Sequence, residues 1–468
     1  MPGPGALPAT VGELREHGYQ SRTVKEELRR NLVARIRSGA PLFPGIVGYE
    51  HSVLPQLENA ILSGQDVVLL GERGQAKTRI ARSLVDLLDE CIPVLADSEV
   101  NDDPFSPISP AGRALVAELG DRAPVEWIGR DRRYGEKLAT PDITIADLVG
   151  EVDPIKIAEG RYLSDELTIH YGLIPRTNRG IFCLNELPDL AERIQVGLLN
   201  IMEERDVQIR GFRVRLPLDL FVVASANPED YTNRGRIITP LKDRFGAQIR
   251  THYPRTIDHE IDIMEAERTA LSVEGVQVVV PTFMREIVAE ITHQARRSPD
   301  IAQRSGVSVR VSITNYENVL ANAVRRSLRL GEALAVPRVS DLDAVTSSTS
   351  GKVEFESFGE SRDGRVLDRI IHGALLAVWS RRFQAAELQS IADAFEGDRV
   401  VEVSDRTPST GYGAALDLPG MRDAVVRLDI ARRDPALTAS AVEFVLEGLH
   451  LNRKLNKDRV GGTTRYRG

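Results

Sequence analysis

The sequence predicts an α/β protein with a doubly wound parallel sheet, followed by a small α-helical lid and an additional α-rich C-terminal domain. Three apolar segments carry this prediction: residues 67–70, 180–186 and 220–227. Each reads as a buried strand that ends in glycine or polar residues, and helical patterns separate the three. Strands that alternate with helices form parallel sheets, and such sheets bind ligands at the carboxyl ends of their strands.

Composition and charge set broad limits on the class of protein. The 468 residues suggest two or three domains at about 150 residues each. Hydrophobic residues make up 42% and charged residues 27% of the chain, which is typical of a globular protein. The net charge of −8 and the pI of about 5.7 argue against a protein that coats nucleic acid, so nucleic acid is an unlikely partner.

Cysteine content and hydropathy predict the compartment. The two cysteines, Cys91 and Cys183, provide no disulfide framework, which fits a reducing environment. No apolar run approaches the roughly 18 residues that a membrane span requires. Residues 1–8 lack the charged start and apolar stretch of a signal peptide. We therefore expect a cytoplasmic protein that does not insert into membranes.

The first apolar strand leads into a loop with the pattern of a phosphate-binding site. The loop reads Gly71, Glu72, Arg73, Gly74, Gln75, Ala76, Lys77, Thr78, which is GxxxxGK[ST] with alanine for the second glycine. Its glycines let backbone N–H groups point at phosphate oxygens, Lys77 supplies a positive charge, and the Thr78 hydroxyl supplies a Mg²⁺ ligand. The alternative is an ordinary strand–turn–helix, and we expect the alanine at position 76 to matter little.

The two later strands end in side chains suited to chemistry on a bound nucleotide. Glu186 ends the strand of residues 180–186 and could polarise a water, while Asn227 could orient the same water. Arg244, in the segment 240–245, could add positive charge in the transition state. Taken singly, Asn227 is more often a strand-end cap and Arg244 a surface ion-pair partner. Their order along the chain supports the functional interpretation.

The remaining segments are less specific. Residues 93–150 are irregular and contain a basic cluster, Arg130, Arg132 and Arg133, which is either a solvated loop or a partner contact. Residues 346–351 read as a Ser/Thr-rich linker. The basic end, residues 453–468, reads as a flexible, solvated tail rather than a docking segment.

The ordered motifs resemble those of AAA+ ATPases, in the branch of the magnesium-chelatase ATPase subunit and the MoxR-type ATPases. The resemblance covers residues 43 to about 330, and it is carried by residues 43–48, 71–78, 180–186, 226–231 and 241–245. It implies an N-terminal extension (1–42), a nucleotide-binding core (43–255) with insertions at about 93–150 and 153–175, a lid (256–345) and a C-terminal domain (346–468). The segment 153–175 would contain the family's extra hairpin.

The resemblance also implies roles for individual residues. Glu186 would be the Walker B glutamate, Asn227 the sensor-1 residue, Arg310 the sensor-2 arginine, and Arg244 an arginine finger that acts on ATP held by the adjacent subunit. The family usually has Asp before the glutamate, whereas this chain has Asn185. An amide can bind Mg²⁺ through a water but carries no charge, so slower turnover is expected.

The implied function is that of a Mg²⁺-dependent, ring-forming ATPase that remodels or activates a partner protein. The resemblance implies a homo-oligomer, expected to be a hexamer, and a partner with a von Willebrand A domain. The alternatives are a true magnesium-chelatase motor, a nucleic-acid motor, and a nucleotide-gated scaffold motivated by Asn185. The substrate and the role of the C-terminal domain are not specified by any motif.

Overall fold

The computed structural model describes residues 7–152, 169–204, 216–227, 235–302, 306–356, 360–397, 399–430 and 434–468. The chain divides into two compact units, Met1–His252 and Tyr253–Gly468. The first unit contains the predicted nucleotide-binding core.

The described part of the first unit contains both strands and helices. The strands are β1 (Val67–Leu70), β2 (Cys91–Leu95), β3 (Val125–Gly129), β4 (Tyr134–Leu138), β5 (Gly150–Val152), β6 (Ile169–Tyr171), β7 (Gly180–Asn185), β8 (Leu220–Ala226) and β9 (Ala247–Arg250). The helices are α1 (Val11–Glu16), α2 (Val24–Ser38), α3 (Val53–Ser63), α4 (Lys77–Ser83), α5 (Pro110–Leu119), α6 (Ile145–Val149), α7 (Leu173–Arg176), α8 (Glu192–Glu204) and α9 (Thr239–Arg244).

The centre of the first unit is a parallel sheet. Among the described residues it has five strands in the order β4-β7-β8-β1-β9, and each neighbouring pair is parallel. β1, β7 and β8 are buried along their whole length because helices cover both faces. This architecture confirms the predicted α/β fold class with a doubly wound parallel sheet.

Alternating side chains of the same strands supply the two hydrophobic cores. On one face, Val67, Leu69 and Ile181 pack with apolar residues of α2, α3 and α4. On the other face, Val68 and Phe182 pack with apolar residues of α6, α7, α8 and α9. The period of two along each strand therefore builds a three-layer structure.

Part of the segment 93–150 belongs to the ordinary core, which corrects the prediction that the whole segment is an insertion. β2 and β3 form an antiparallel pair outside the central sheet, whereas β4 is the strand beside β7 in that sheet. Its sequence has few apolar residues because, within the described sheet, it lies at an edge. The strand pattern was therefore too weak to recognise.

The basic cluster contains a structural ion pair. Arg133 is 1% exposed, and its Nη1 and Nη2 donate to Oε1 and Oε2 of Glu27 at 2.8 and 2.6 Å. Breaking such a buried pair costs about 3–5 kcal/mol. Arg133 thus fixes α2 against the segment that leads into β4, and it is not a free partner contact.

The predicted family hairpin lies largely outside the described residues. β5 and β6 pair in antiparallel fashion on either side of residues 153–168. Gly150 has φ of +117°, and a Cβ there would lie 2.3 Å from the carbonyl oxygen of His170. The close approach of these two strands therefore requires glycine at position 150.

The second unit is mostly helical. Its described helices are α10 (Ile257–Glu267), α11 (Thr282–Ala295), α12 (Val309–Leu330), α13 (Val345–Ser350), α14 (Glu360–Ser380), α15 (Gln389–Asp393), α16 (Met421–Val426) and α17 (Pro435–Leu451). Its described strands are β10 (Gln277–Val278), β11 (Leu334–Ala335), β12 (Val401–Val403), β13 (Asn456–Val460) and β14 (Thr463–Arg467).

One hydrophobic core joins the predicted lid to the predicted C-terminal domain. Ile287 and Leu320 from the lid segment pack in the same cluster as Trp379 and Phe444 from the C-terminal segment. Phe283 stacks on Phe444 with ring centroids 4.5 Å apart. The division at residue 345 is therefore not a boundary between separate cores.

Two local predictions in the second unit are wrong. Residues 345–350 form helix α13, in which Ser348 and Thr349 are buried and donate hydrogen bonds to Oδ1 of Asn315, so this segment is not a linker. The basic end forms the hairpin β13–β14, which joins β12 in an antiparallel sheet. Lys457 donates to the buried Glu447 at 2.8 Å, and this ion pair holds the end of the chain in place. In the part of the chain that the structure describes, no helix is both long and apolar enough to span a membrane.

Candidate functional site

The phosphate-loop sequence forms a tight turn between β1 and α4. Gly71 N donates to the carbonyl oxygen of Ala226 at 3.0 Å, so the loop begins beside the end of β8. Gly74 and Ala76 have φ of 75° and 55°, in the left-handed region. Lys77 opens α4, is 6% exposed, and donates from Nζ to the carbonyl oxygens of Gly71 and Glu72 at 2.6 and 2.8 Å. The loop thus closes around one buried ammonium group.

The side chain of Gln75 stabilises the loop from its inner side. Its side chain is buried, and Oε1 accepts hydrogen bonds from Glu72 N at 3.1 Å and from the Thr251 hydroxyl at 2.7 Å. A Cβ at position 71 would lie 1.9 Å from Oγ1 of Thr251, so only glycine fits there. The end of β9 therefore takes part in shaping the loop.

Tyr49 supports the same turn. Its hydroxyl lies 2.9 Å from the carbonyl oxygen of Gln75 and 2.7 Å from that of His252, and it donates its single proton between them. Burial raises the pKa of Tyr49 to about 12, so the hydroxyl remains a donor at neutral pH. The loop is therefore held by side chains from two separate segments.

Thr78 and Asn185 connect α4 to the end of β7. The Thr78 hydroxyl donates to Asn185 Oδ1 at 3.3 Å, and the Ser225 hydroxyl donates to the same oxygen at 3.2 Å. Asn185 is 7% exposed. The amide oxygen thus faces the two hydroxyls, and the amide nitrogen faces the opposite direction.

The nitrogen of that amide meets a carboxylate. Asn185 Nδ2 donates to Glu136 Oε1 at 2.9 Å. Arg82 Nε and Nη2 donate to the two oxygens of Glu136 at 2.7 and 2.8 Å, and the Tyr134 hydroxyl donates at 3.0 Å. The Arg82 hydrogen bonds are the main reason that the pKa of Glu136 lies below its usual value, so this carboxylate is ionised at neutral pH.

Glu186 and Asn227 lie at the same edge of the sheet. Glu186 is partly exposed and has φ of 56° and ψ of 48°, and its backbone N–H donates to the Ser225 hydroxyl at 3.2 Å. A left-handed non-glycine residue is a local strain that the surrounding structure must hold. Asn227 is 5% exposed and follows β8, whose last residue pairs in register with Leu70 before the loop. The rest of the predicted motif 226–231 lies outside the described residues.

The two predicted arginines occupy different places. Arg244 ends α9, is 43% exposed, and forms an ion pair with Glu203 of α8. Arg310 is exposed in the first turn of α12, in the second unit, where its backbone N–H donates to the Ser308 hydroxyl at 3.1 Å. The structure therefore brings together Lys77, Thr78, Asn185, Glu186 and Asn227, and it places both arginines at exposed helix ends.

Sequence patterns missed three contributors to this site: Glu136, Ser225 and Thr251. Ser225 had a recognisable signal, since it is the polar residue within an apolar strand. Glu136 had none, because its strand did not look like one. The oxygen atoms of Thr78 and Asn185 are hard ligands of the kind that Mg²⁺ prefers, and the enclosed Lys77 suits a bound phosphate. The donor set thus fits a magnesium–nucleotide complex.

Known proteins resemble the chain over about half its length. It is 28% identical over 229 residues to magnesium-chelatase subunit ChlI of Nostoc sp., covering 48% of this chain and 57% of the relative. It is 30% identical over 235 residues to ChlI of Chlorella vulgaris, covering 46% and 60%. The chain therefore spans a little over half the length of these curated relatives. The matches confirm the resemblance to magnesium-chelatase ATPase subunits.

Solved structures and family models add little to this result. The complex of subunits BchI and BchD of magnesium chelatase, based on a single-particle cryo-EM reconstruction, matches with 19% identity and a TM-score of 0.36, covering 69% of this chain and 98% of the other. A putative ATPase from Cytophaga hutchinsonii matches with 13% identity and a TM-score of 0.32, covering 77% and 97%. No protein-family model matches the chain.

Proposed function

We propose that this homologue of magnesium-chelatase ChlI subunits is an AAA+ ATPase that binds ATP with Mg²⁺ at the phosphate loop and hydrolyses it. The hydrogen bond from the Thr78 hydroxyl to Asn185 Oδ1, at 3.3 Å, carries the proposal. It joins the residue after the phosphate-loop lysine to the strand end that also bears Glu186. Phosphoryl transfer needs these two elements at one place.

The chain's own residues divide the work of hydrolysis. Lys77 and the loop N–H groups hold the phosphates, and Thr78, with Asn185 through a water, holds the cation. Bound Mg²⁺ neutralises charge on the phosphate oxygens. Glu186 accepts a proton from the attacking water, and Asn227 orients that water. The strained backbone of Glu186 and the burial of Asn227 support these roles, because both side chains are held at the sheet edge.

Two arginines complete the proposed site. Arg244 lies at the surface of its unit, where it can reach ATP held by a neighbouring subunit of a ring, for which we propose a hexamer. Its ion pair with Glu203 is exposed and therefore weak enough to be exchanged for a phosphate contact. For Arg310, at an exposed helix start, the sensor-2 role that the resemblance implies stays a proposal.

We propose that the ring acts on a partner protein with a von Willebrand A domain. The names of the curated relatives favour a second, narrower candidate, a true magnesium-chelatase motor that drives Mg²⁺ insertion into a porphyrin. Adding candidate partner proteins and protoporphyrin separates the two: metal insertion supports the motor, and partner-stimulated hydrolysis without insertion supports the remodeller. A nucleic-acid motor would instead show salt-dependent DNA or RNA binding with ATPase stimulation.

The test of hydrolysis compares three proteins. Glu186→Gln removes the proton acceptor but keeps the shape, so we expect ATPase activity to fall by about 100-fold or more while Mg²⁺-ATP binding persists. Lys77→Ala should abolish binding of a fluorescent ATP analogue, and the exposed Glu126→Gln should change neither quantity. Unchanged activity in Glu186→Gln would refute the proposed ATPase and favour a nucleotide-gated scaffold.

A further inference from the structure

The amide of Asn185 is fixed in one orientation by contacts on both sides. Its Oδ1 accepts from the hydroxyls of Thr78 and Ser225, at 3.3 and 3.2 Å, and its Nδ2 donates to Glu136 Oε1 at 2.9 Å. The two hydroxyls could turn to accept from Nδ2, but a reversed amide would place its oxygen against the carboxylate of Glu136, which only accepts hydrogen bonds. The three contacts are therefore satisfied by one arrangement only.

Glu136 is itself held as an anion in a defined place. Arg82 donates hydrogen bonds to both oxygens of Glu136, at 2.7 and 2.8 Å. Thr78 and Arg82 are one turn apart on α4, so the same helix face carries the cation-binding hydroxyl and the arginine that holds Glu136. The helix, β4 and β7 thus form one connected set of contacts: Arg82, Glu136, Asn185 and Thr78.

This set favours an amide over a carboxylate at position 185. An Asp at position 185 would put one of its oxygens at the place of Nδ2, within 2.9 Å of Glu136 Oε1. Two carboxylates at that separation repel each other strongly. With Asn185, the carboxylate is Glu136, whose charge Arg82 balances, and the hydrogen bond to this acceptor polarises the amide so that its oxygen becomes a better acceptor for Thr78.

We propose that Glu136 is a positioning residue of the magnesium site, which orients and polarises the Asn185 amide so that its oxygen faces the Thr78 hydroxyl. The inference rests on the proposed function, since it concerns the cation bound with ATP. It replaces the expectation that Asn185 simply weakens the site. In this chain Asn185 and Glu136 form a matched pair, and neither should be exchanged without the other.

A double-mutant cycle tests the pair in the full-length protein. The variants are Glu136→Gln, Asn185→Asp and the two combined, with Glu126→Gln as the control carboxylate on β3, outside the central sheet. The measurement is the binding of a fluorescent ATP analogue as a function of Mg²⁺ concentration, with a parallel titration in EDTA. Thermal unfolding of each variant without nucleotide is the second readout.

Asn185→Asp should require about tenfold more Mg²⁺ for nucleotide binding, and the double variant should restore the wild-type requirement. Glu136→Gln alone should raise the requirement severalfold, while its nucleotide binding in EDTA stays unchanged. If Asn185→Asp does not fold, recovery of its unfolding temperature in the double variant is the supporting result. Tighter Mg²⁺ dependence in Asn185→Asp alone, or additive effects without rescue, would overturn the inference.

The proposed function fails separately from this inference. If the wild-type protein binds the analogue without any dependence on Mg²⁺, or does not bind it, the magnesium–nucleotide assignment is wrong. If the wild type binds with Mg²⁺ dependence but the cycle shows no coupling, only the pairing of Glu136 with Asn185 is wrong.

Discussion

The Thr251 hydroxyl donates to Gln75 Oε1 at 2.7 Å, which ties the end of β9 directly to the phosphate loop. Thr251→Val keeps the shape but removes the donor, so Gln75 retains only the bond from the Glu72 N–H among its described contacts at this oxygen. We expect a loss of about 1 kcal/mol in the free energy of unfolding. Nucleotide affinity should fall severalfold because the loop is less well fixed. Urea unfolding and titration with a fluorescent ADP analogue measure the two effects.

Thr251→Ser is the matched control, because it keeps the hydroxyl and loses a methyl group. It should bind nucleotide like the wild type. Equal affinity in the valine and serine variants would contradict a role for the hydrogen bond in shaping the loop.

Ala76 has φ of 55° and ψ of 15°, a left-handed conformation that favours the glycine usually found at this place in the motif. A left-handed conformation costs a non-glycine residue about 1–2 kcal/mol, part of which is offset by the lower chain entropy of alanine in the unfolded state. Ala76→Gly should therefore stabilise the protein by up to about 1 kcal/mol. The thermal unfolding midpoint without nucleotide checks this.

Ala81, in the middle of α4, is the control for the same exchange. There glycine should destabilise by about 1 kcal/mol, since the position is helical. A lower midpoint for Ala76→Gly, comparable to that of Ala81→Gly, would mean that the loop does not hold position 76 in the left-handed region.

The buried Asp219 is expected to lower the free energy of unfolding as the pH rises. Burial is the main cause that raises its pKa from 3.8 to about 6. Because the folded-state pKa lies above the unfolded one, the folded protein binds this proton more tightly. The stabilisation that the folded state gains by binding this proton is complete below pH 4, and it is lost as the pH rises through about 6. Asp219→Asn removes the titrating group and keeps an oxygen to accept from Val24 N, which lies 2.7 Å from Oδ2 of Asp219.

The Asn variant should be more stable than the wild type at pH 7, on the order of 2 kcal/mol, and nearly equal to it at pH 4. Urea unfolding at several pH values measures the difference. A difference that is the same at pH 4 and pH 7 would show that Asp219 does not titrate in this range.

Sequence reasoning found the parts of the fold and site that lie on strongly patterned elements. β1, β7 and β8 are continuous apolar runs because both faces of the sheet are covered, and the side chains at their ends followed from that assignment. Glu136 could not be predicted as a site residue, because its strand is at the edge of the described sheet and nearly lacks the apolar pattern. The contact of Glu136 with Asn185 depends on a strand pairing between distant segments, which local patterns do not encode.

The same limit explains the error at the end of the chain. Residues 453–468 are basic, and charge density predicted a solvated tail. Tyr466 is nevertheless 2% exposed and donates a hydrogen bond to Glu447, whose second partner is Lys457. The buried Glu447 on α17 therefore positions the basic hairpin. The strand β12, which pairs with β14, is remote in sequence from the hairpin, so local patterns do not reveal this pairing.

The proposed role of Arg244 predicts that two subunits share one active site. If Arg244 acts on ATP bound by a neighbour, Arg244→Ala and Lys77→Ala should each abolish ATPase activity, through different subunits of the same interface. Mixing the two inactive proteins should restore activity, since some interfaces then combine an intact Lys77 with an intact Arg244. In randomly mixed rings about one interface in four has this combination, so up to roughly a quarter of the wild-type rate is expected.

The ion pair between Arg244 and Glu203 provides a control for the mixing experiment. Glu203→Gln removes the ion-pair partner of Arg244 and leaves the arginine in place, so this variant should keep its activity. The same exchange added to Lys77→Ala should leave that protein able to complement Arg244→Ala. Sedimentation with Mg²⁺ and ATP would confirm that all variants assemble. Restoration in the mixture requires that Arg244 act across an interface. If Lys77→Ala and Arg244→Ala form mixed rings that stay inactive, or if Arg244→Ala alone retains full activity, the arginine has no such role and the site is complete within one subunit.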